Sequence, residues 1–366
     1  MGQPLRVGIV GVGAIAGQYL ATFGRLDAVR LVAVADLDAD RAQAVAAEQG
    51  VRALTVAELT TDPEVDLVLN LTIPAAHAEI ALQAIAGGKH VYGEKPLAVT
   101  PAEARTVLDA AQAAGVRVGC APDTVLGTGI QTARKAIDDG AIGLPVAATA
   151  TMATPGHERW HPNPDFYYQP GGGPLLDMGP YYVTALVTLL GPVESVVGAA
   201  SHTRATRTIG SGPRVGETVR VDVDTHVTGV LRHVSGALST LVMSFDSVAT
   251  HASNIEVHGQ AGSLVVPDPN QFDGDVELHE LGGSWQTLPP SAGYRDAGRG
   301  YGVADLATTP DGVPARADGE LAYHVLEIMT ALLAAADSGT TVAVESRCER
   351  PAAVPLSDAP RRPERD

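Results

Sequence analysis

Residues 5–16 read Leu5-Arg6-Val7-Gly8-Ile9-Val10-Gly11-Val12-Gly13-Ala14-Ile15-Ala16. An apolar run of strand length passes straight into G-x-G-x-x-A, and a helical pattern follows from Ile15 to Leu26. Each small residue then has its own task. Gly11 allows the tight turn, Gly13 lets the backbone approach a pyrophosphate, and Ala16 permits close packing of helix on strand. Ala14 and Ile15 carry the chain into the helix, whose first N–H groups attract phosphate.

The same alternation continues outward. Strand patterns at Val29–Ala35, Val65–Leu71, His90–Gly93 and Val116–Cys120 are separated by helical ones at Ala39–Gln49, Ala75–Ala86 and Thr100–Ala114. Gly50, Gly87-Gly88 and Gly115 stop the helices, and Pro101 stands in the first turn of the last. Nearly all-apolar strands joined by helices predict a doubly wound parallel sheet, a Rossmann α/β domain over residues 1–122. Beyond Pro122 the rhythm changes. Helical patterns at Thr128–Asp139, Leu176–Leu190 and Glu320–Ala336 accompany strand patterns at Val146–Ala153, Val219–Leu231, Gly236–Phe245 and Asn254–His258. This predicts an α+β domain over 123–350 with a largely antiparallel, open-faced sheet. Residues 291–318 read as a long loop, with 295–305 as a lid, and 351–366 as a tail whose end, 361–366, is disordered.

Composition excludes several classes of function. Of the 366 residues, 25 are Lys or Arg and 42 are Asp or Glu, a net charge of −17 that disfavours nucleic acid and anionic membrane as partners. Two cysteines make neither a disulfide framework nor a zinc ribbon. The N-terminal apolar run is too short for a signal peptide. No stretch reaches the ~20 uninterrupted apolar residues of a membrane span, the best being Tyr181–Leu190. A cytoplasmic protein is expected.

The second strand ends at Asp36, about 20 residues beyond Ala16. A carboxylate there accepts hydrogen bonds from ribose hydroxyls and repels a 2′-phosphate, so NAD is expected ahead of NADP. Asp36 could instead cap the next helix, a task Asp38 can also perform. Thr72 and Pro74, at the end of the third strand, are placed along the dinucleotide, with His77 beside them. After the fourth strand comes Gly93-Glu94-Lys95-Pro96, which brings an ammonium to the carboxyl end of the sheet. There Lys95 can bond a substrate hydroxyl and stabilise developing alkoxide charge; Glu94 and Lys95 are also expected along the cofactor.

Together the glycine loop, Asp36, Thr72-Ile73-Pro74 and above all Gly88-Lys89-His90-Val91-Tyr92-Gly93-Glu94-Lys95-Pro96 resemble the Gfo/Idh/MocA oxidoreductases, over almost the whole chain. The resemblance implies NAD(P)-dependent oxidation or reduction of a sugar, a polyol or a related alcohol, with Lys95 catalytic. It also implies a homodimer or homotetramer that buries the open sheet face.

A second constellation is Asp177-Met178-Gly179-Pro180-Tyr181, where Asp177 and Tyr181 share one helix face. Family members commonly carry Asp-x-Gly-x-His here, so Tyr181 stands where an acid/base His is usual. Asp177 and Tyr181 are taken as catalytic with Lys95; Tyr182, rotated about 100° away, is the less favoured alternative to Tyr181. His157-Glu158-Arg159-Trp160-His161 matches the zinc pattern H-E-x-x-H, but Pro155 and Pro162 break the helix it needs, so no metal is expected. His157, Trp160, His161 and Asp165 are assigned instead to gripping a sugar. Two rivals stand beside the dehydrogenase reading: an NAD-dependent glycosidase using transient oxidation and elimination, and a non-catalytic dinucleotide sensor.

Overall fold

A computed structural model describes residues 3–360; the expected disordered end at 361–366 lies outside them. Two compact units are present, and neither is continuous in sequence. The first comprises residues 3–128, 292–323 and 351–360, and the second 129–291 and 324–350. The contiguous division at 122 and 350 differs from this because two later segments rejoin the first unit.

In the first unit the strands are β1 Leu5–Val10, β2 Val29–Ala35, β3 Arg52–Ala53, β4 Leu67–Asn70, β5 His90–Gly93 and β6 Val118–Cys120. They form a parallel sheet of order β3-β2-β1-β4-β5-β6. The order reverses beside β1, and such a switch point opens a crevice at the strand carboxyl ends. The helices are α1 Ala16–Phe23, α2 Ala39–Gln49, α3 Val56–Thr61, α4 His77–Ala86 and α5 Pro101–Ala114. Helix α5 follows its sequence signals. Thr100 and Glu103 form a capping box, Pro101 opens the helix, and Gly115 closes it at φ 67°. Strand β3 and helix α3 were not anticipated, although Thr55 and Glu58 form the same kind of box before α3. Residues 291–318 are not one long loop. They contain the helix Tyr301–Thr308, all eight residues of which are buried. Asp305 within it accepts hydrogen bonds from Tyr294 and from the Arg316 backbone. The expected lid over 295–305 is therefore replaced, from Tyr301 on, by core.

The second unit holds α6 Thr128–Asp138, β7 Pro145–Ala153, α7 Pro174–Leu190, β8 Val193–Ser201, β9 Thr206–Thr208, β10 Thr218–Arg220, β11 His226–His233, β12 Leu238–Ser244, β13 Ile255–Gly259, β14 Gly262–Val266, β15 Val276–Glu280, β16 Gln286–Leu288 and β17 Val342–Ala343. Among the described residues nine strands form one sheet of order β16-β15-β14-β13-β7-β12-β11-β8-β17, antiparallel except where β12 runs parallel to β7. The single strand expected over Val219–Leu231 is split into β10 and β11. Between them Asp222 donates its N–H to the Tyr168 carbonyl, which turns the chain out of the ladder. Helix α7 covers β7, β11 and β12, whose inward residues include Ala150, Leu231, Leu241 and Met243. The opposite face keeps Thr149, Val197, Leu238 and Thr240 exposed.

The helix Gly319–Ser338 is long and apolar enough by composition to cross a membrane, and it displaces Tyr181–Leu190 as the best such candidate. Its apolar side is nevertheless a core surface: Leu326, Ile328, Met329 and Leu332 are buried. Leu332 lies over Gly198 and Gly229, which face each other across β8 and β11. A Cβ on Gly229 would sit 2.4 Å from Leu332 Cδ1 and 2.7 Å from the Val197 carbonyl oxygen. Gly229→Val is expected to cost about 1–3 kcal/mol by overpacking, read as a lower urea midpoint at unchanged m-value.

Candidate functional site

The glycine loop is built by close approach. Gly11 has φ 90°, and a Cβ there would lie 2.9 Å from the carbonyl of Leu71. Only glycine meets both demands. Gly13, by contrast, has nothing within 4 Å of a Cβ position, so its exposed backbone faces open space. Ala14 is also exposed, Ile15 is half-buried as the N-cap of α1, and Ala16 is buried against the sheet.

Asp36 closes the loop from the side. The Val12 N–H donates to its Oδ2 at 2.8 Å, and the Asp38 N–H donates to Oδ1 at 2.9 Å. Asp38, not Asp36, caps α2 by accepting from the Arg41 N–H. Arg41 also reaches back, its Nη2 3.3 Å from Asp36 Oδ1 and 3.4 Å from Asp38 Oδ2. The sequence reading missed this cation, five residues past the carboxylate. An ionised carboxylate offers about four lone-pair sites, so Asp36 retains capacity for ribose hydroxyls. An open Gly13 backbone, the α1 N-terminus and a carboxylate with lone pairs to spare at the end of β2 are groups that would fit a dinucleotide.

The loops after β4 and β5 are tied together by His77. Its Nδ1 lies 2.6 Å from the Pro96 carbonyl and its Nε2 3.0 Å from the Thr72 carbonyl, and the residue is 2% exposed. The sequence places His77 beside the dinucleotide; both its ring nitrogens are committed to main chain, and the ring braces Thr72 against the segment that carries Lys95. Thr72 is itself fixed by donating its hydroxyl to Asn70 Oδ1 at 2.6 Å, while Pro74 is exposed. Glu94 is buried, accepting from the Tyr19 hydroxyl at 2.8 Å and from the Lys95 N–H at 3.1 Å. It too acts as a support. Burial and the Glu94 carboxylate push the Tyr19 phenol well above its ordinary pKa, so Tyr19 stays a donor. Lys95 follows at the carboxyl end of the sheet, half-buried.

In the second unit the polar side chains gather at the start of α7. Asp177 stands in its first turn, and Tyr181, 6% exposed, one turn on. Tyr182 is a core residue whose hydroxyl accepts from Asn254 at 2.8 Å. Residues 157–159 form a single 3₁₀ turn, so the two H-E-x-x-H imidazoles do not share a helix face. His157 Nε2 meets Asp177 Oδ2 at 3.1 Å, a pairing across 20 residues that the sequence reading did not foresee. His161 Nδ1 accepts from the Asn163 N–H, and Asp165 is held by Arg214 at 3.2 Å. That ion pair holds the Asp165 carboxyl below its usual range and occupies the group assigned to gripping substrate. Trp160 and Phe166 remain exposed, at 58% and 54%. Among the described residues no three His, Cys, Asp or Glu side chains group as metal ligands.

Strand order, glycine loop and paired acid define a dinucleotide-binding Rossmann protein. Residues 5–121 match the oxidoreductase family with an NAD-binding Rossmann fold, and residues 130–265 match the GFO/IDH/MocA C-terminal domain. The chain belongs to the Gfo/Idh/MocA family. It is 31% identical over 331 residues to 1,5-anhydro-D-fructose reductase of Ensifer adhaerens, covering 86% of this chain and 94% of the relative. It is 28% identical over 262 residues to myo-inositol 2-dehydrogenase of Thermotoga maritima, covering 71% and 74%. The crystal structure of an NAD binding oxidoreductase from Klebsiella pneumoniae superposes with a TM-score of 0.80 at 26% identity, covering 93% of this chain and 99% of that one.

Gly13→Val tests the cofactor assignment. Because nothing lies near that Cβ, the variant should keep the wild-type melting temperature and lose NADH binding by about 100-fold or more, measured by fluorescence titration.

Proposed function

We propose that this protein is an NAD-dependent dehydrogenase or reductase of a sugar, a polyol or a closely related alcohol or carbonyl compound. The reading rests on one observation: a buried brace of His77, Glu94 and Tyr19 fixes the segment from which Lys95 projects at the carboxyl end of the Rossmann sheet. So much buried polar structure around one lysine makes sense if its position matters. The sugar-derived and polyol substrates named for the two relatives support the substrate class. Those names also favour a net redox reaction over transient-oxidation hydrolysis or a silent sensor.

Bound nicotinamide would supply the hydride acceptor or donor. The chain's own residues manage oxygen and proton. The Lys95 ammonium donates a hydrogen bond to the reacting oxygen and stabilises negative charge on it. Tyr181 relays the proton, and Asp177 orients the hydroxyl. Trp160 and His161 contact the remaining substrate hydroxyls and the sugar face; Asp165 contributes through Arg214, and His157, whose Nε2 is bonded to Asp177, acts behind them. NAD is favoured over NADP because Asp36 would repel a 2′-phosphate, while the charge of Arg41 is shared between Asp36 and Asp38. The open sheet face, with Val197 and Leu238 exposed, supports burial against a second copy in a homodimer or homotetramer. The net charge of −17 supports a small-molecule partner rather than nucleic acid or membrane, and a cytoplasmic location accords with the reading.

A panel of sugars, inositols, anhydrosugars and aryl glycosides with NAD and NADP, followed at 340 nm, tests the whole assignment; aglycone released from the glycosides without net NADH would contradict it. In that assay Lys95→Ala should lower kcat by at least about 100-fold with NAD affinity changed no more than a few-fold. Full turnover in the variant would remove Lys95 from its role. Asp36→Ala should weaken NAD and narrow the preference over NADP by about 10-fold or more, seen in the ratio of kcat/KM values.

A further inference from the structure

The turn that carries His157 is held by an unusually polar support. Its backbone N–H donates to the Tyr168 hydroxyl at 3.1 Å, and that hydroxyl donates to Glu158. Glu158 Oε1 pairs with Arg207 Nη1 at 3.2 Å. The Arg207 side chain is fully buried, and it also pairs with Asp246 and donates to the Phe245 carbonyl at 3.0 Å. Gly156, at φ 110°, has no room for a Cβ, which would fall 2.2 Å from Glu158 Oε2. Burying a carboxylate and a guanidinium is costly unless they are paired, and Arg207 pairs with both the buried Glu158 and the half-buried Asp246. Here the cluster fixes one 3₁₀ turn and so one imidazole.

That imidazole is boxed by aromatic rings, with centroids 4.3 Å from Phe245, 4.7 Å from Tyr167 and 5.1 Å from Trp160. Its Nδ1 is buried and has no hydrogen-bond partner. Its Nε2 faces Asp177 Oδ2. An ionised carboxylate only accepts, so the proton sits on Nε2 and Nδ1 is left as a lone pair among the rings. This tautomer leaves no buried N–H unsatisfied. The bond occupies a lone pair of Oδ2 and restricts rotation of the carboxylate at the start of α7.

We infer that His157 is a positioning residue for the redox reaction: its Nε2–H holds the Asp177 carboxylate in the rotamer that the substrate requires. The inference rests on the proposed role of Asp177. A group that fixes a reacting residue commonly carries a 10–100-fold effect on activity without touching substrate. It also loses its effect once the group it positions is gone.

The test uses the full chain with 1,5-anhydro-D-fructose and NADH, and with myo-inositol and NAD. His157→Leu fills the aromatic box but cannot donate; it should lower kcat about 10- to 100-fold with KM for the nicotinamide unchanged. His157→Gln can donate from Nε2 and should recover kcat to within a few-fold of wild type. In an Asp177→Ala background, His157→Leu should add less than about 3-fold. Asp177→Ala with full turnover would overturn the role of Asp177, and this inference with it. A damaged Asp177→Ala beside an active His157→Leu, an additive double variant, or a His157→Gln as poor as His157→Leu would overturn the positioning role alone. Independent of turnover, ¹⁵N spectra of the histidine side chains should show His157 protonated at Nε2, with resonances that move in Asp177→Ala; an Nδ1-protonated ring would overturn the inference.

Discussion

A carbon atom has no room at one point of the backbone. Gly11 passes so close to the carbonyl of Leu71 that a Cβ would collide with it, and this contact brings the ends of β1 and β4 together. The geometry of the crevice follows. The Val12 N–H reaches Asp36 from the same turn. The Thr72 loop begins at the point of contact, and His77 links that loop to the Pro96 carbonyl. The proposed ribose acceptor Asp36, the glycine loop and Lys95 follow β2, β1 and β5 of one parallel sheet, which holds them in fixed relation.

Burial of polar groups follows one logic in both units. In the first, Glu94, Tyr19, His77 and Asn70 are buried and hydrogen-bonded to one another or to main chain. In the second, the buried Glu158, Arg207 and Tyr168 bond to one another, with the half-buried Asp246 at the edge of the group. Such networks give little net stability, because desolvation offsets their attraction. What they provide is a single arrangement, since any displaced member leaves a buried polar group unpaired. Each network lies beside a residue proposed to act on substrate, Lys95 in one case and Asp177 in the other. Preorganisation of that kind lowers the reorganisation needed at the moment of reaction.

Much of this architecture was legible residue by residue. The glycine loop, the acid at the end of β2 and the helix stops at Gly50 and Gly115 are local devices, set by allowed φ or by a neighbour a few positions away. The helix Tyr301–Thr308 was not legible, because all its faces are buried and no apolar period marks it. Its one acid, Asp305, reads as a loop residue until Arg316 and Tyr294 are seen to satisfy it. The break between β10 and β11 was hidden for a related reason: β-branched residues run through it, and only the bond from Asp222 to Tyr168 shows the chain leaving the sheet.

Sequence alone set out the residues on which the proposed chemistry rests: a glycine loop with an acid at the end of the next strand, a lysine at a strand end, and an aspartate and a tyrosine one helical turn apart. Those features are short-range, and their spacing already implies their geometry. Tertiary structure decided which polar residues support that chemistry. His77 and Glu94 became braces, Asp165 was claimed by Arg214, and His157 was drawn onto Asp177 from 20 residues away. The physical reason is that a hydrogen bond between distant residues depends on where packing delivers both partners, and no local pattern of side chains records that.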